Sequence, residues 1–325
     1  MKKLIQKISV IFSIILNRKI LKRPDFSEKK IFLQGQLLER ENHKKIEIND
    51  LKDVEFSVFS QFGEDGIISW VTDKLPNINK VFVEIGTQDY WESNTRYLLK
   101  SKKWKGFLFE GSKAFVNQIK SQKIYWQHDL RAVETFVNKD NINSILEKHI
   151  EYKDIGLLSI DIDGNDYWIL REINALKPAI IICEFNSIFG DLFKISVPYN
   201  KNFIRSRAHH SNLYFGASIK AIMGMMEKKG YTFIGTGSVG INAFFVKNEL
   251  MSNFTNKIRN FSIYPAIVRE GLDINGKLTH ENILSSLKLI NDLEVFDFDD
   301  NKLCKLKEYN NLYSDNWIKI LNESR

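Results

Sequence analysis

Short apolar runs alternate with longer amphipathic ones through the middle of the chain. Residues 80–85 (KVFVEI), 106–110 (GFLFE), 124–127 (IYWQ), 156–162 (GLLSIDI) and 179–185 (AIIICEF) each predict a short strand. Between them, residues 94–100, 112–120, 142–152 and 167–176 repeat their apolar positions at helical spacing. Strands and helices in such alternation predict a mostly parallel α/β sheet. Residues 231–234 and 242–246, separated by a stretch containing GTGSVG, predict an antiparallel hairpin after it. Beyond about residue 250 the chain is rich in Asn, Asp and Lys with weak helical patterning, which predicts a helical appendage.

The first residues carry a different pattern. In MKKLIQKISVIFSIILNRKILKR, Leu4, Ile5, Ile8, Ile11, Phe12, Ile15 and Leu16 share one face of a helix, with Lys3, Gln6, Lys7, Ser13 and Asn17 mostly outside it. Gln6 and Lys7 interrupt the run too early for a membrane span, which needs about 20 mostly apolar residues. Asn17, Arg18 and Lys19, in place of a small-residue cleavage site, argue against a cleaved signal peptide. The pattern fits a basic amphipathic helix resting on an anionic membrane surface. Val10 and Ile14 spoil its polar face, so a helix docked on the protein's own core stands beside that reading. The expected organisation is a basic amphipathic segment (1–23), an N-terminal extension (24–59), the α/β domain (60–250) and the appendage (251–325).

At 325 residues, the chain is long enough for one large α/β domain with appendages or for two ordinary domains. Its formal charge of +7 is modest, with many lysines interspersed among acids or gathered in the first thirty residues, which argues against a nucleic-acid surface. Cys183 and Cys304 form neither a CxxC nor a His/Cys spacing, so no zinc site or disulfide framework is expected. A reducing compartment follows, with a cytoplasmic location and peripheral membrane attachment through residues 1–23.

Candidate chemistry is densest in LLSIDIDGND, residues 157–166. An apolar strand stops on Asp161, Asp163 and Asp166, which puts carboxylates at the end where open α/β sheets bind ligands. If extended geometry persists through Ile162, Asp161 and Asp163 project to the same side, about 7 Å apart. Like charges that close call for a cation, a donor or a proton. A simpler alternative makes residues 163–166 a turn with one Asp capping the following helix.

The motifs Ser60-Gln61-Phe62-Gly63-Glu64-Asp65-Gly66, Val83-Glu84-Ile85-Gly86, Asp89, Ser93-Asn94-Thr95, Trp104 with Gly106, and the Asp-rich fourth strand resemble the FkbM-type S-adenosylmethionine-dependent methyltransferases over about residues 60–250. That resemblance implies a Rossmann-like class I methyltransferase sheet with a C-terminal antiparallel hairpin, and S-adenosylmethionine as cofactor. The departure is the loop Gly86-Thr87-Gln88-Asp89-Tyr90-Trp91, which has one glycine where the family's loop is glycine-rich.

A carboxylate ending a strand can accept hydrogen bonds from both ribose hydroxyls, and Glu110 is placed for that role. Gly86 would admit the main chain close to the methionine part, and Glu84 would meet the ligand's ammonium or order the loop. The resemblance places Asp129, after the expected third strand, at the adenine edge; capping the next helix is the alternative. Asp161, nearest the expected transfer point, is read both as a cofactor-facing residue and as the group that positions or deprotonates the acceptor. With Asp163 and Glu184 it offers an oxygen-ligand set for Mg²⁺. His209 and His210, in an insertion rich in aromatic and hydroxyl groups, are alternative bases.

With the resemblance, these features point to O-methylation of a small-molecule or glycan acceptor, in glycan biosynthesis. Two other functions fit parts of the pattern: a metal-dependent glycosyltransferase using Asp161-Ile162-Asp163 as its DxD, and a noncatalytic methyltransferase-fold scaffold at a membrane.

Overall fold

The computed structural model describes residues 26–323, so the segment 1–23 lies outside the described residues. Among the described residues no helix is long and apolar enough to cross a membrane.

The apolar runs become β1 (Val81–Ile85), β2 (Lys105–Glu110), β3 (Leu130–Glu134), β4 (Asp154–Ile160) and β5 (Lys177–Glu184). With β7 (Tyr231–Thr236) and β8 (Asn242–Lys247) they form a seven-stranded sheet of order β3-β2-β1-β4-β5-β8-β7. The first five strands run parallel. β8 pairs antiparallel with β5, and β7 antiparallel with β8, as the predicted hairpin requires. This is the expected Rossmann-like sheet with its antiparallel C-terminal pair. Chain order reverses between β1 and β4, which opens a crevice beyond their carboxyl ends.

Both faces of the sheet are covered, which is why its central strands read as unbroken apolar runs. Alternation sorts the side chains. Phe82, Leu108 and Leu157 pack on one face with Ile67 and Trp70 of the helix Glu64–Asp73. Val83, Ile85, Phe109 and Ile160 pack on the other with Ile142, Leu146 and Ile169. Truncating a fully buried residue such as Phe82 to Ala would cost about 3–5 kcal/mol.

Three expectations are corrected. Residues 124–127 form no strand: Lys123–Gln127 is a short helix in which Ile124 is buried and Trp126 is 72% exposed. The third strand is Leu130–Glu134, an edge strand that buries Leu130 and Ala132 and leaves Arg131 and Glu134 exposed. Next, β4 stops at Ile160, so Asp161 and Asp163 share no extended segment. Finally, the region after 250 is not purely helical. Besides helices Ile283–Ile290 and Asp315–Glu323 it holds β9 (Glu294–Asp297) and β10 (Lys302–Lys305). With β6 (Ile195–Ser196) these make an antiparallel sheet of order β10-β9-β6. Trp317 and Leu321 from its last helix join the core that holds β4.

Candidate active site

A cavity of about 760 Å³ opens beyond the carboxyl ends of β1, β2, β4 and β5, at the reversal of strand order. Glu84 and Glu110 line the end beyond β1 and β2; Asp161, Asp163, Glu184, Arg205 and Glu270 line the end beyond β4 and β5; Gly86 lies at the junction, against Asp161.

The first end is built by the loop after β1. Gly86 has φ +83°, and a Cβ there would lie 1.7 Å from the Asp161 carbonyl oxygen. Its glycine identity therefore follows from the close approach of two strand ends, β1 and β4. Two further loop residues, Gln88 and Tyr90, adopt left-handed backbone with φ +46° and +64° without being glycine. Such conformations cost about 1–3 kcal/mol each and persist where surroundings hold them. Glu110 supplies one hold: its carboxylate accepts from the Thr87 and Gln88 amides at 3.2 and 2.9 Å, and from the Ser112 amide at 2.7 Å.

Arg96 supplies the other. Buried at 2% exposure, it donates to the Tyr90 carbonyl at 2.7 Å and to Gln122 Oε1 at 2.8 Å. Gln122 Nε2 in turn donates to the Asp89 carbonyl at 2.6 Å, and the guanidinium lies 4.6 Å from the Trp91 ring centre. A loop poor in glycine is thus held by an Arg–Gln clamp. Glu84 secures the residues that follow the loop, accepting from Ser93 Oγ at 2.7 Å, from the Asn94 amide at 3.2 Å and from Thr95 Oγ1. Burial raises its pKa, opposed by those hydroxyl and amide donors.

The second end is built from acids facing acids. Carboxylate oxygens of Asp161, Asp166 and Glu184 all lie within 4.8 Å of one another. Burial pushes the Asp161 pKa well above the ordinary value, helped by Asp163 and Asp166, while a hydrogen bond with Glu184 and the charge of Arg205 oppose the rise. Burial likewise raises Glu184, with Asp161, Asp163 and Asp166 adding to it. Two carboxylates this close disfavour each other's ionised form. Asp166 is also pushed up by burial, to about 6, although it accepts from the Ile162 and Gly164 amides at 2.8 Å each. It closes the turn at the start of helix Asp166–Glu172, which is the turn role open to it from the sequence.

Asp163 differs from the expected ligand set. Its φ of +56° turns it out of line with Asp161, and Arg205 Nη1 donates to its Oδ1 at 2.6 Å. Arg205 also reaches Glu270 Oε1 and the Asn212 carbonyl, each at 2.6 Å, and stacks 3.7 Å from the Phe215 ring centre. Burial works against its charge, but Glu184, Glu270 and Asp163 raise its pKa. The oxygen set that converges is therefore Asp161, Glu184 and Asp166, in place of Asp161, Asp163 and Glu184.

Two further expectations fail on placement. Asp129 precedes β3, at the opposite end of the sheet from the cavity, with its side chain 3.7 Å from Lys105 Nζ. His209 and His210 do not line the cavity. Their ring centres lie 4.1 Å apart with the planes tilted by 43°, His209 Nδ1 bonds Ser211 Oγ at 2.8 Å, and burial together with His210 lowers the His209 pKa. Arg96, Asn165, Asn242 and Glu270 are site residues that the sequence patterns did not single out. Only Asn165, inside the Asp-rich motif, had a local signal.

Residues 94–233 match the family model of the methyltransferase FkbM domain. The match starts after β1 and covers Glu110, Asp161, Glu184 and Arg205, a shorter span than the resemblance by motif. None of the curated proteins matches the chain. Among solved structures the chain is similar to an O-methyltransferase from Bacillus cereus in complex with SAH, at 15% identity and TM-score 0.35, covering 70% of this chain and 94% of that one. It is also similar to an S-adenosylmethionine-dependent methyltransferase from Clostridium acetobutylicum, at 11% identity and TM-score 0.37, covering 57% and 90%. Neither likeness is close enough to bear on activity. From Asn94 to Phe233, this chain matches a methyltransferase FkbM domain.

Proposed function

We propose that this chain transfers a methyl group from S-adenosylmethionine to a hydroxyl oxygen of a sugar or glycan intermediate. One observation carries the reading: Glu110, at the end of β2, faces the same cavity as the Asp161–Glu184 pair, across the reversal of strand order. Glu110 accepts from three loop amides, two on Oε2 and one on Oε1, which leaves Oε1 an acceptor site for a ribose hydroxyl. Thr87, Gln88 and Gly86 then meet the methionine part of the cofactor.

Methyl transfer asks the protein mainly to align acceptor oxygen, methyl carbon and sulfur. It must also take the acceptor's proton as the new bond forms. Asp161 is the base, with Glu184 sharing the proton it receives. The pair also fits a hard divalent cation, because it offers converging buried oxygens and Glu184 Oε2 accepts from no protein donor. Mg²⁺ bound there would make an adjacent hydroxyl more acidic. Asp163 is drawn to Arg205, which disfavours the reading of Asp161-Ile162-Asp163 as a glycosyltransferase DxD.

Thermal shifts with S-adenosylhomocysteine and with a UDP-sugar separate the readings, since a ligand of the folded state raises apparent stability. Stabilisation by S-adenosylhomocysteine alone is expected. Stabilisation by the UDP-sugar alone would favour glycosyl transfer, and by neither, the scaffold. Residues 1–23 are proposed to rest on anionic lipid at the cytoplasmic surface. Vesicle co-sedimentation of full-length and truncated protein tests this; equal pelleting contradicts it.

A further inference from the structure

The acid end of the cavity has a charge and hydrogen-bond balance that selects its occupant. Among the described residues lining the cavity, Arg205 is the one basic side chain. It stands against Glu84, Asp89, Glu92 and Glu110 toward β1 and β2, and Asp161, Asp163, Glu184 and Glu270 toward β4 and β5. Its charge is already engaged by Asp163 and Glu270, and its face is stacked on Phe215. At this wall an anionic group on the acceptor would meet Asp161, Asp163, Glu184 and Glu270 with Arg205 already paired, and burying a charge there without a partner is costly.

The same wall holds three buried acceptors with no protein donor: Asn165 Oδ1, Glu184 Oε2 and Asn242 Oδ1. The orientation of both amides is fixed by chemistry. Asn165 Nδ2 donates to the Asn200 carbonyl at 2.7 Å and Asn242 Nδ2 to Glu64 Oε1 at 3.0 Å, and these partners can only accept. Each Oδ1 is thereby left without a donor, on a residue that lines the cavity. Buried acceptors left unmade cost about 1–3 kcal/mol each, so three on one wall ask for a ligand that brings hydrogens. The wall is completed by Glu270 from the segment after 250, outside the family match.

We propose that the acceptor presents an uncharged or cationic, donor-rich head to this wall, a hydroxyl- or amine-bearing ring, and places no phosphate or carboxylate inside the cavity. This deepens the methyltransferase reading and rests on it. In a reaction sequence, the step supplying the substrate is then one that leaves the ring free of any anionic group at this position.

The test is a nuclear magnetic resonance titration of the full chain saturated with S-adenosylhomocysteine, following the Asn165 and Asn242 side-chain amides. D-glucose, D-glucosamine and glucose 6-phosphate are the probes. Glucose and glucosamine are expected to shift both amides, and glucose 6-phosphate to bind at least about tenfold more weakly, a penalty of about 1.4 kcal/mol. Equal or tighter binding of glucose 6-phosphate overturns the proposal, as does the absence of any shift with all three. Glu270→Gln provides a second arm: freeing Arg205 from one carboxylate should raise glucose 6-phosphate affinity about tenfold, and an unchanged value contradicts the account of anion exclusion. If S-adenosylhomocysteine fails to bind while the sugars discriminate as stated, the methyltransferase reading falls and the donor-rich pocket stands. The converse result removes this inference alone.

Discussion

The two ends of the cavity hold carboxylates in opposite conditions. At the β1–β2 end, Glu84 and Glu110 accept from several donors in neighbouring loops, and those bonds hold left-handed backbone in place. At the β4–β5 end, Asp161 and Glu184 face each other, and Glu184 Oε2 and two amide oxygens on the same wall accept from nothing. The first end is organised before any ligand arrives. The second leaves buried acceptors unmade by the protein, and on the proposal above the acceptor substrate completes them. Such division is expected where one partner must be held still and the other must react.

The largest effect should come from breaking the reactive end. Asp161→Asn keeps size and hydrogen bonding but removes the basic carboxylate, so turnover should fall by about 10²–10⁴-fold. Single-turnover assays with an acceptor in hand measure it; unchanged turnover would reduce Asp161 to a structural carboxylate.

Glu110→Ala breaks the organised end instead. It removes the ribose acceptor and frees the Thr87 and Gln88 amides, each bond to a charged group being worth about 1.5–3 kcal/mol. S-adenosylhomocysteine affinity should weaken by at least about tenfold in calorimetry, which 1.4 kcal/mol supplies. A smaller loss places the ribose elsewhere.

Arg96→Met sharpens the comparison without touching a carboxylate. Losing the bonds to Tyr90 and Gln122 should loosen the loop, speed amide exchange at residues 87–91 and weaken S-adenosylhomocysteine binding by at least about tenfold, each of the two charge-assisted bonds being worth about 1.5–3 kcal/mol. Unaltered exchange would show that Glu110 alone holds the loop.

The smallest expected effect is on stability against pH. Asp161 and Glu184 are raised in the fold, so between the ordinary carboxylate value, about 4, and their elevated values the folded state binds more protons than the unfolded chain. Their contribution is therefore most favourable at low pH and is lost as pH rises through that window. The double variant Asp161→Asn, Glu184→Gln should flatten this slope in denaturant titrations from pH 4 upward. An identical slope in wild type and variant would mean that the two acids are not raised in the fold.

Legibility from sequence followed burial. β1, β2, β4 and β5 are enclosed on both faces and read as apolar runs, and Glu110, Asp161 and Glu184 were found because each ends or directly follows such a run. β3 was misplaced because an edge strand, LRAVE, carries polar residues, whereas the neighbouring IYWQ is more aromatic. That error moved Asp129 to the wrong end of the sheet. β9 and β10 were missed because EVFD and KLCK are four residues each and bury few positions. Asp163 leaves the expected set because its own backbone is left-handed and β4 ends at Ile160, so the extended geometry through Ile162 on which its pairing with Asp161 depended is not met. Arg96, Asn242 and Glu270 act through contacts with residues distant in the chain, and no local spacing announces such pairings.

The central claim, that one end of the cavity binds cofactor and the other performs chemistry, is tested most directly by titrating S-adenosylhomocysteine calorimetrically into the wild type, Glu110→Ala and Asp161→Asn in parallel. The account predicts micromolar or tighter binding to the wild type, nearly the same affinity for Asp161→Asn, and at least about tenfold weaker binding to Glu110→Ala. No heat with the wild type, or equal losses in both variants, would contradict it.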